Sequence, residues 1–271
     1  MYSYIERMFK MKILAIGDVC GSIGCDTVRR LLPSIKKEYG IDFIVINGEN
    51  SADSNGITPS SAQDLFCFGA DVITGGNHSF KRKEISLMME ENNFLLRPDN
   101  LPQQSIGKGF CVVDCGYVKV AVINILGTIY LEAQNASSPF HKADTLIEKA
   151  KNEGANIILV DFHAEATSEK RALGLYLDGK VSAVFGTHTH VQTNDAQVLP
   201  NGTGYITDLG MTGPIDSVLG VKSSIIISRL KDKNTSEKFV LASGKCMLNG
   251  CIFDIDKNTG KTLSTTIINI C

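Results

Sequence analysis

The chain has 271 residues, 43% hydrophobic and 21% charged, with 25 Gly and 7 Pro, which excludes a disordered or collagen-like polymer and suits one α/β domain. Its 27 basic residues against 29 acidic leave a net charge of −2. No basic footprint for a phosphate backbone exists, so no stable nucleic-acid binding is expected.

Residues 1–10 read as an extension before the first strand, Lys12–Ile16. A helix follows in which Val28, Leu31, Leu32 and Ile35 share a face; Pro33 is expected to interrupt and kink it, and Gly40 to end it. Phe43–Ile46 reads as the next strand. Thr58-Pro59 then starts a helix with a hydroxyl cap and proline at its first position, its apolar face formed by Ala62, Leu65, Phe66 and Gly69. Val72–Thr74 and Val118–Ile125 are strand-like. Ala143, Leu146, Ile147 and Ala150 mark a further helix that Gly154 closes. Ile157–Asp161, Val181–Phe185 and Tyr205–Thr207 are again buried strands. From about residue 223 the pattern alternates, and Ser223–Leu230, Lys238–Ala242, Cys246–Ile255 and Thr262–Ile270 read as antiparallel strands.

No apolar run reaches the length of about 18 residues that a membrane span needs. Val118–Leu126 is the longest candidate, and Lys119 and Asn124 interrupt it. Glu6, Arg7, Lys10 and Lys12 break up the N-terminal apolar residues, so no signal peptide is read and a soluble protein with no membrane association is expected. The eight cysteines contain no CxxC pair. Free buried thiols and a cytoplasmic location follow as the expectation.

The chemistry lies at the strand ends. The first strand runs into Gly17-Asp18, the second into Gly48-Glu49-Asn50, and Val72–Thr74 into Gly75-Gly76-Asn77-His78. Asp161 leads to Phe162-His163, and Phe185 to Gly186-Thr187-His188-Thr189-His190. In α/β sheets the carboxyl ends of the strands form the ligand crevice. Four of the chain's five histidines are thereby delivered to one rim; the fifth, His141, sits beside Lys142 and reads as a surface residue. Imidazole with carboxylate and amide oxygen suits borderline ions such as manganese, iron or zinc. These groups exceed what one tetrahedral site takes, so two ions sharing a carboxylate is the economical reading. The loop Gly17–Gly24 is rich in glycine but lacks the Gly-Lys-Ser/Thr of a phosphate-binding loop, and makes better sense as a metal-ligand loop.

Taken in order, Gly17-Asp18, Gly48-Glu49-Asn50, Gly75-Gly76-Asn77-His78 and Gly186-Thr187-His188-Thr189-His190 resemble the blocks of the calcineurin-like metallophosphoesterases. The runs from Asp161 to Lys170 and from Asp208 to Gly213 narrow the resemblance to the YmdB-like branch, over roughly residues 11 to 270. The wider superfamily has Asp-x-His where this chain has Asp18-Val19-Cys20, and Gly-Asp where it has Glu49-Asn50; the branch shares both changes.

The resemblance implies an α/β, calcineurin-like metallophosphoesterase fold, with β-sheets sandwiched between helices and ligands on loops at the carboxyl ends of strands. One domain would span 1–271, its part from 223 onward rich in β-structure. The resemblance also implies two divalent or trivalent ions, iron or manganese before zinc or magnesium. Asp18, Glu49, Asn50 and His190 would hold one, and Glu49, Asn77, His163 and His188 the other, with Glu49 bridging. His78 would be the general acid. The implied reaction is hydrolysis of a small phosphodiester such as a 2′,3′-cyclic nucleotide by a hydroxide generated between cations about 3.5–4 Å apart. A phosphomonoesterase or nucleotidase is the alternative, and a regulatory metal-binding protein acting through a partner is a third reading. The sequence leaves open whether the chain forms a homo-oligomer.

Overall fold

The computed structural model describes residues 9–102, 106–232 and 237–271. Most of the 1–10 extension lies outside the described residues, and its last residue already belongs to β1 (Lys10–Ile16).

The strands are apolar at consecutive rather than alternate positions because both of their faces are covered. In β1, Ile13 and Ala15 face one cluster of buried side chains and Leu14 and Ile16 another. The first sheet contains β1, β2 (Asp18–Val19), β3 (Phe43–Asn47), β4 (Val72–Thr74), β11 (Met211–Pro214), β12 (Cys246–Asp256) and β13 (Thr262–Ile270). Its order is β2-β11-β12-β1-β3-β4, with β13 also paired to β12. β1, β3 and β4 run parallel, while β12 is antiparallel to β1. The second sheet contains β5 (Phe110–Asp114), β6 (Lys119–Leu126), β7 (Ile157–His163), β8 (Ala183–Thr187), β9 (Gln197–Val198) and β10 (Gly204–Ile206), ordered β5-β6-β7-β8-β10-β9. Its β6, β7, β8 and β10 are parallel.

The two sheets stack. Met11, Ile13, Phe43, Val45 and Phe253 of the first interdigitate with Val120, Val122, Leu159 and Phe185 of the second. On the outer face of the first sheet, Leu14, Ile44 and Ile46 meet Val28, Leu32 and Ile35 of α1 (Gly21–Tyr39) and Leu65 of α2 (Pro59–Phe68). A short α3 (Ser86–Glu91) follows β4. On the outer face of the second sheet, Ala121, Ile123 and Val160 meet Leu146 and Ile147 of α4 (Pro139–Asn152) and Leu173 of α5 (Thr167–Tyr176). The expected sandwich of sheets between helices is the one observed. The Thr58 cap is present: the Ser61 N–H donates to Thr58 Oγ1 at 3.2 Å, and the Thr58 N–H to Ser61 Oγ at 3.0 Å.

Three expectations need correction. The 223–230 segment is not a strand but α6 (Ser223–Lys231). A strand would place Ile225 and Ile227 on the same face, whereas Ile225 is 7% exposed and Ile227 58%. Tertiary context therefore overrides the β preference of three consecutive isoleucines. The 238–242 segment is not a strand either; its one ladder contact is the bridge from Leu241 to Val221. Pro33 does not interrupt its helix, since α1 runs from Gly21 to Tyr39 with Pro33 inside it and ends, as expected, at Gly40. The short strands β2, β9 and β11 have no counterpart among the expected elements.

Among the described residues no helix is long and apolar enough to cross a membrane. All eight cysteines are free. Burial pushes the thiols of Cys25, Cys111 and Cys251 up to about 12, while Cys67 and Cys271 are exposed. A thiol titration of the folded protein with an aromatic disulfide is expected to show these two exposed cysteines reacting fast and Cys25, Cys111 and Cys251 only on unfolding. Fast reaction of the latter three would contradict this packing.

Candidate metal centre

The five strand ends come from both sheets. β1, β3 and β4 of the first deliver Asp18, Glu49, Asn50, Asn77 and His78; β7 and β8 of the second deliver His163, His188 and His190. Stacking brings the two sets into contact. Donor atoms of Glu49, His163 and His188 lie within 4.8 Å of one another. His163 Nε2 is 3.3 Å from Glu49 Oε1, 3.0 Å from Asn77 Oδ1 and 3.0 Å from His188 Nδ1. His190 Nε2 is 3.6 Å from Asp18 Oδ1 and 3.5 Å from Asn50 Nδ2.

The partners of the far ring nitrogens fix which nitrogen faces the centre. Thr187 Oγ1–H donates to Asp161 Oδ1 at 2.7 Å, so its oxygen accepts from His163 Nδ1–H at 2.9 Å. His163 Nε2 is left pointing inward. His188 Nε2 meets the Glu165 carboxylate at 3.0 Å, which leaves Nδ1 for the centre. A carboxylate or hydroxyl on the far nitrogen is the usual outer support of a metal-ligating histidine. His190 Nδ1 contacts the Cys20 thiol at 3.6 Å, so Cys20 sits against a candidate ligand rather than only in apolar packing.

The charges fit a cation. Burial works against the Glu49 carboxylate, but the His163 charge and hydrogen bond, with His78, outweigh it and hold Glu49 well below the usual carboxylate range. Glu49 in turn raises His163 against its own burial. Burial, with the adjacent His163, pushes His188 down to about 3, leaving a neutral imidazole. His190 is raised to about 10, Cys20 and Asp18 outweighing its burial. His163 Nε2 thus points at the place where Glu49 Oε1, Asn77 Oδ1 and His188 Nδ1 converge. Those spacings of 3.0–3.3 Å match neighbouring ligands at right angles around an ion with bonds of about 2.1 Å. Asp18 is fully buried, its Oδ1 has no hydrogen-bond partner, and burial raises its pKa. A bound cation would reverse that penalty. The residues present therefore fit a divalent metal.

His78 lies at the edge, 30% exposed. Its Nδ1–H donates to Asn50 Oδ1 at 3.0 Å, and its backbone N–H to Glu49 Oε2 at 3.1 Å. The Asn50 amide turns its nitrogen to Glu49 Oε1 at 2.8 Å. A half-turn about its Cβ–Cγ bond would present the oxygen instead.

Beneath the centre is a buried network that the sequence reading did not assign. Asp161 accepts from Thr74 Oγ1 at 2.5 Å, Asn47 Nδ2 at 3.1 Å and Thr187 Oγ1 at 2.7 Å. Burial raises its pKa to about 6. Its position at the end of the apolar run 157–160 was the available signal. Glu169 is the other: its carboxylate accepts from the Thr128 N–H and hydroxyl, both at 2.9 Å, and so ties down the 127–129 turn.

A family model described as YmdB-like protein matches residues 14–268. The chain is 47% identical over 253 residues to a 2′,3′-cyclic-nucleotide 2′-phosphodiesterase of Bacillus subtilis, covering 93% of this chain and 94% of the relative. It superposes on the crystal structure of a phosphatase from Mycoplasma pneumoniae with a TM-score of 0.90 at 34% identity, covering 96% of this chain and 93% of that one. A hypothetical protein from Thermus thermophilus gives 0.87 at 36% identity, over 96% of this chain and all of the other. With the candidate ligands brought together at the strand ends and the match running almost end to end, the chain belongs to the YmdB-like family and has the metallophosphoesterase fold.

Proposed function

We propose that this protein is a phosphodiesterase that hydrolyses small diesters of the 2′,3′-cyclic nucleotide class at a two-cation centre. The carrying observation is the convergence of Glu49 Oε1, Asn77 Oδ1 and His188 Nδ1 within 3.0–3.3 Å of His163 Nε2, beside the orphaned carboxylate oxygen of Asp18. Glu49, Asn77, His163 and His188 would hold one ion, and Asp18, Glu49, Asn50 and His190 the other, iron or manganese suiting this donor set better than magnesium. When bound, the ions supply Lewis acidity toward phosphate oxygens and a nucleophile from water near neutral pH.

His78 is the general acid in this reading. With Nδ1 facing the Asn50 amide, whichever way that amide is turned, Nε2 remains to carry a proton to the departing ribose O2′, leaving a 3′-phosphate. Imidazole is the side chain that holds and releases a proton near pH 7. The identity to the Bacillus subtilis enzyme supports the substrate class. The whole chain is read as one domain because both sheets contribute to the centre. Eight unpaired cysteines support a cytoplasmic location.

His78→Ala tests the acid role. Hydrolysis of a diester with an alkoxide leaving group is expected to slow by about 100- to 10,000-fold. A nitrophenyl diester, whose leaving group needs no proton, should be much less affected, and elemental analysis should show unchanged metal content. Equal losses on both substrates, or loss of metal, would reject the role.

A further inference from the structure

His188 and His190 both have left-handed backbones, φ 99° and 63°. Non-glycine residues in that region persist only where their surroundings over-determine them. Thr189 lies between them, and its anchor is Asp208. Asp208 Oδ2 accepts from the Thr189 hydroxyl at 2.7 Å and the Thr189 N–H at 3.2 Å. The same oxygen is 2.6 Å from Lys170 Nζ, and both side chains are 1% exposed. The other oxygen, Oδ1, accepts from the Gly210 N–H at 2.8 Å. The Gly210 carbonyl in turn accepts from the Asp18 N–H at 3.1 Å, and Asp18 Oδ2 accepts from the His188 N–H at 3.1 Å. One buried carboxylate thus ties together the backbone that presents Asp18, His188 and His190.

Gly186 leaves room for the Thr207 carbonyl and for the Lys170 stem on its way to Asp208. A Cβ there would lie 2.9 Å from Lys170 Cδ and 1.8 Å from the Thr207 carbonyl oxygen. The glycine that opens the Gly-Thr-His-Thr-His segment is therefore part of the same device. A buried ion pair gives little net stability, and replacing both partners with apolar residues is often neutral or stabilising. Stability alone does not account for a buried lysine carried on α5 and aimed at this carboxylate.

We propose that Lys170 and Asp208 are positioning residues: the buried pair holds Thr189 so that His188 and His190 present their nitrogens to the cations. This rests on the reading of those histidines as ligands. Lys170 Nζ lies against Asp208 Oδ2 as its buried partner, and Asp208 spends its remaining lone pairs on Thr189 and Gly210. Loss of the pair lets the segment relax toward ordinary backbone angles, turning both imidazoles away from the centre.

The test is Mn2+ binding by chelator competition, run beside thermal melting of the metal-free protein. Wild type should bind Mn2+, and His190→Ala should bind it far more weakly; if wild type takes up none, the cation reading itself fails. Thr189→Val keeps the shape and removes only the hydroxyl bond to Asp208. It should weaken Mn2+ binding about tenfold, the low end for loss of an outer partner, with the metal-free melting temperature unchanged. Lys170→Met should weaken it by up to about 100-fold and lower the melting temperature. The double change Lys170→Met with Asp208→Leu should not recover the affinity, because the Thr189 and Gly210 donors are then left without their carboxylate. Wild-type Mn2+ affinity in Thr189→Val and in the double variant, with His190→Ala impaired, would overturn the proposal and leave the ligand reading standing. Should Lys170→Met fail to fold, Thr189→Val decides alone.

Discussion

Glu49→Gln is expected to strip the centre of metal while leaving a folded protein. The substitution keeps the size of the side chain and removes its charge. Both carboxylate oxygens are engaged, Oε1 with His163 Nε2 at 3.3 Å and Asn50 Nδ2 at 2.8 Å, and Oε2 with the His78 N–H at 3.1 Å. An amide can offer one oxygen to one ion but cannot bridge two. The loss in affinity should therefore exceed the about 10- to 100-fold typical of an outer partner. Metal content after dialysis is expected to fall from two equivalents to below one, with diester hydrolysis falling alongside. Retention of both ions at wild-type affinity would reject Glu49 as the shared ligand.

Gly76→Ala should be as damaging through sterics alone. A Cβ at this position would lie 2.2 Å from Glu49 Oε2 and 2.4 Å from His163 Nε2, so a methyl group would occupy space between two candidate ligands. Neither neighbour can yield easily, since Glu49 is 1% exposed and His163 is fully buried. The overpacking cost to stability should be about 1–3 kcal/mol, measurable by denaturant titration. Metal binding and hydrolysis should both be lost. A Gly76→Ala protein that binds two ions and turns over normally would show that residue 76 approaches the centre less closely than these distances require.

Much of the run from residue 161 to 170 has a role once folded. His163 faces the centre, Glu165 meets His188 Nε2, Glu169 holds the 127–129 turn and Lys170 pairs with Asp208. The run as a whole marks the family resemblance, but within it only His163 reads as a candidate ligand, because its position after an apolar strand has a simple meaning. Glu165 and Glu169 look like ordinary helix-entry acids, and Lys170 like a solvated base. Their partners lie 23, 41 and 38 residues away, where no local pattern can register them. The 223–230 segment erred the other way: local β-branching suggested a strand, and packing of Ile225 made it a helix.

What the sequence determined by itself was the alternation of buried strands and amphipathic helices and the polar residues that close each strand. Those follow from hydrophobic periodicity and turn chemistry, which act over a few residues. Only the tertiary structure decided that the strand ends belong to two stacked sheets rather than one. It is the inter-sheet core of Ile13, Phe43 and Val45 against Val120, Leu159 and Phe185 that brings Asp18 and Glu49 to His163 and His188. Tertiary contacts likewise chose the inward nitrogen of each histidine, through Thr187 and Glu165, and set the left-handed turns of His188 and His190 against Asp208. Hydrogen bonds between residues far apart in the chain carry that information, and they exist only when burial has made them cheaper to form than to leave unmade.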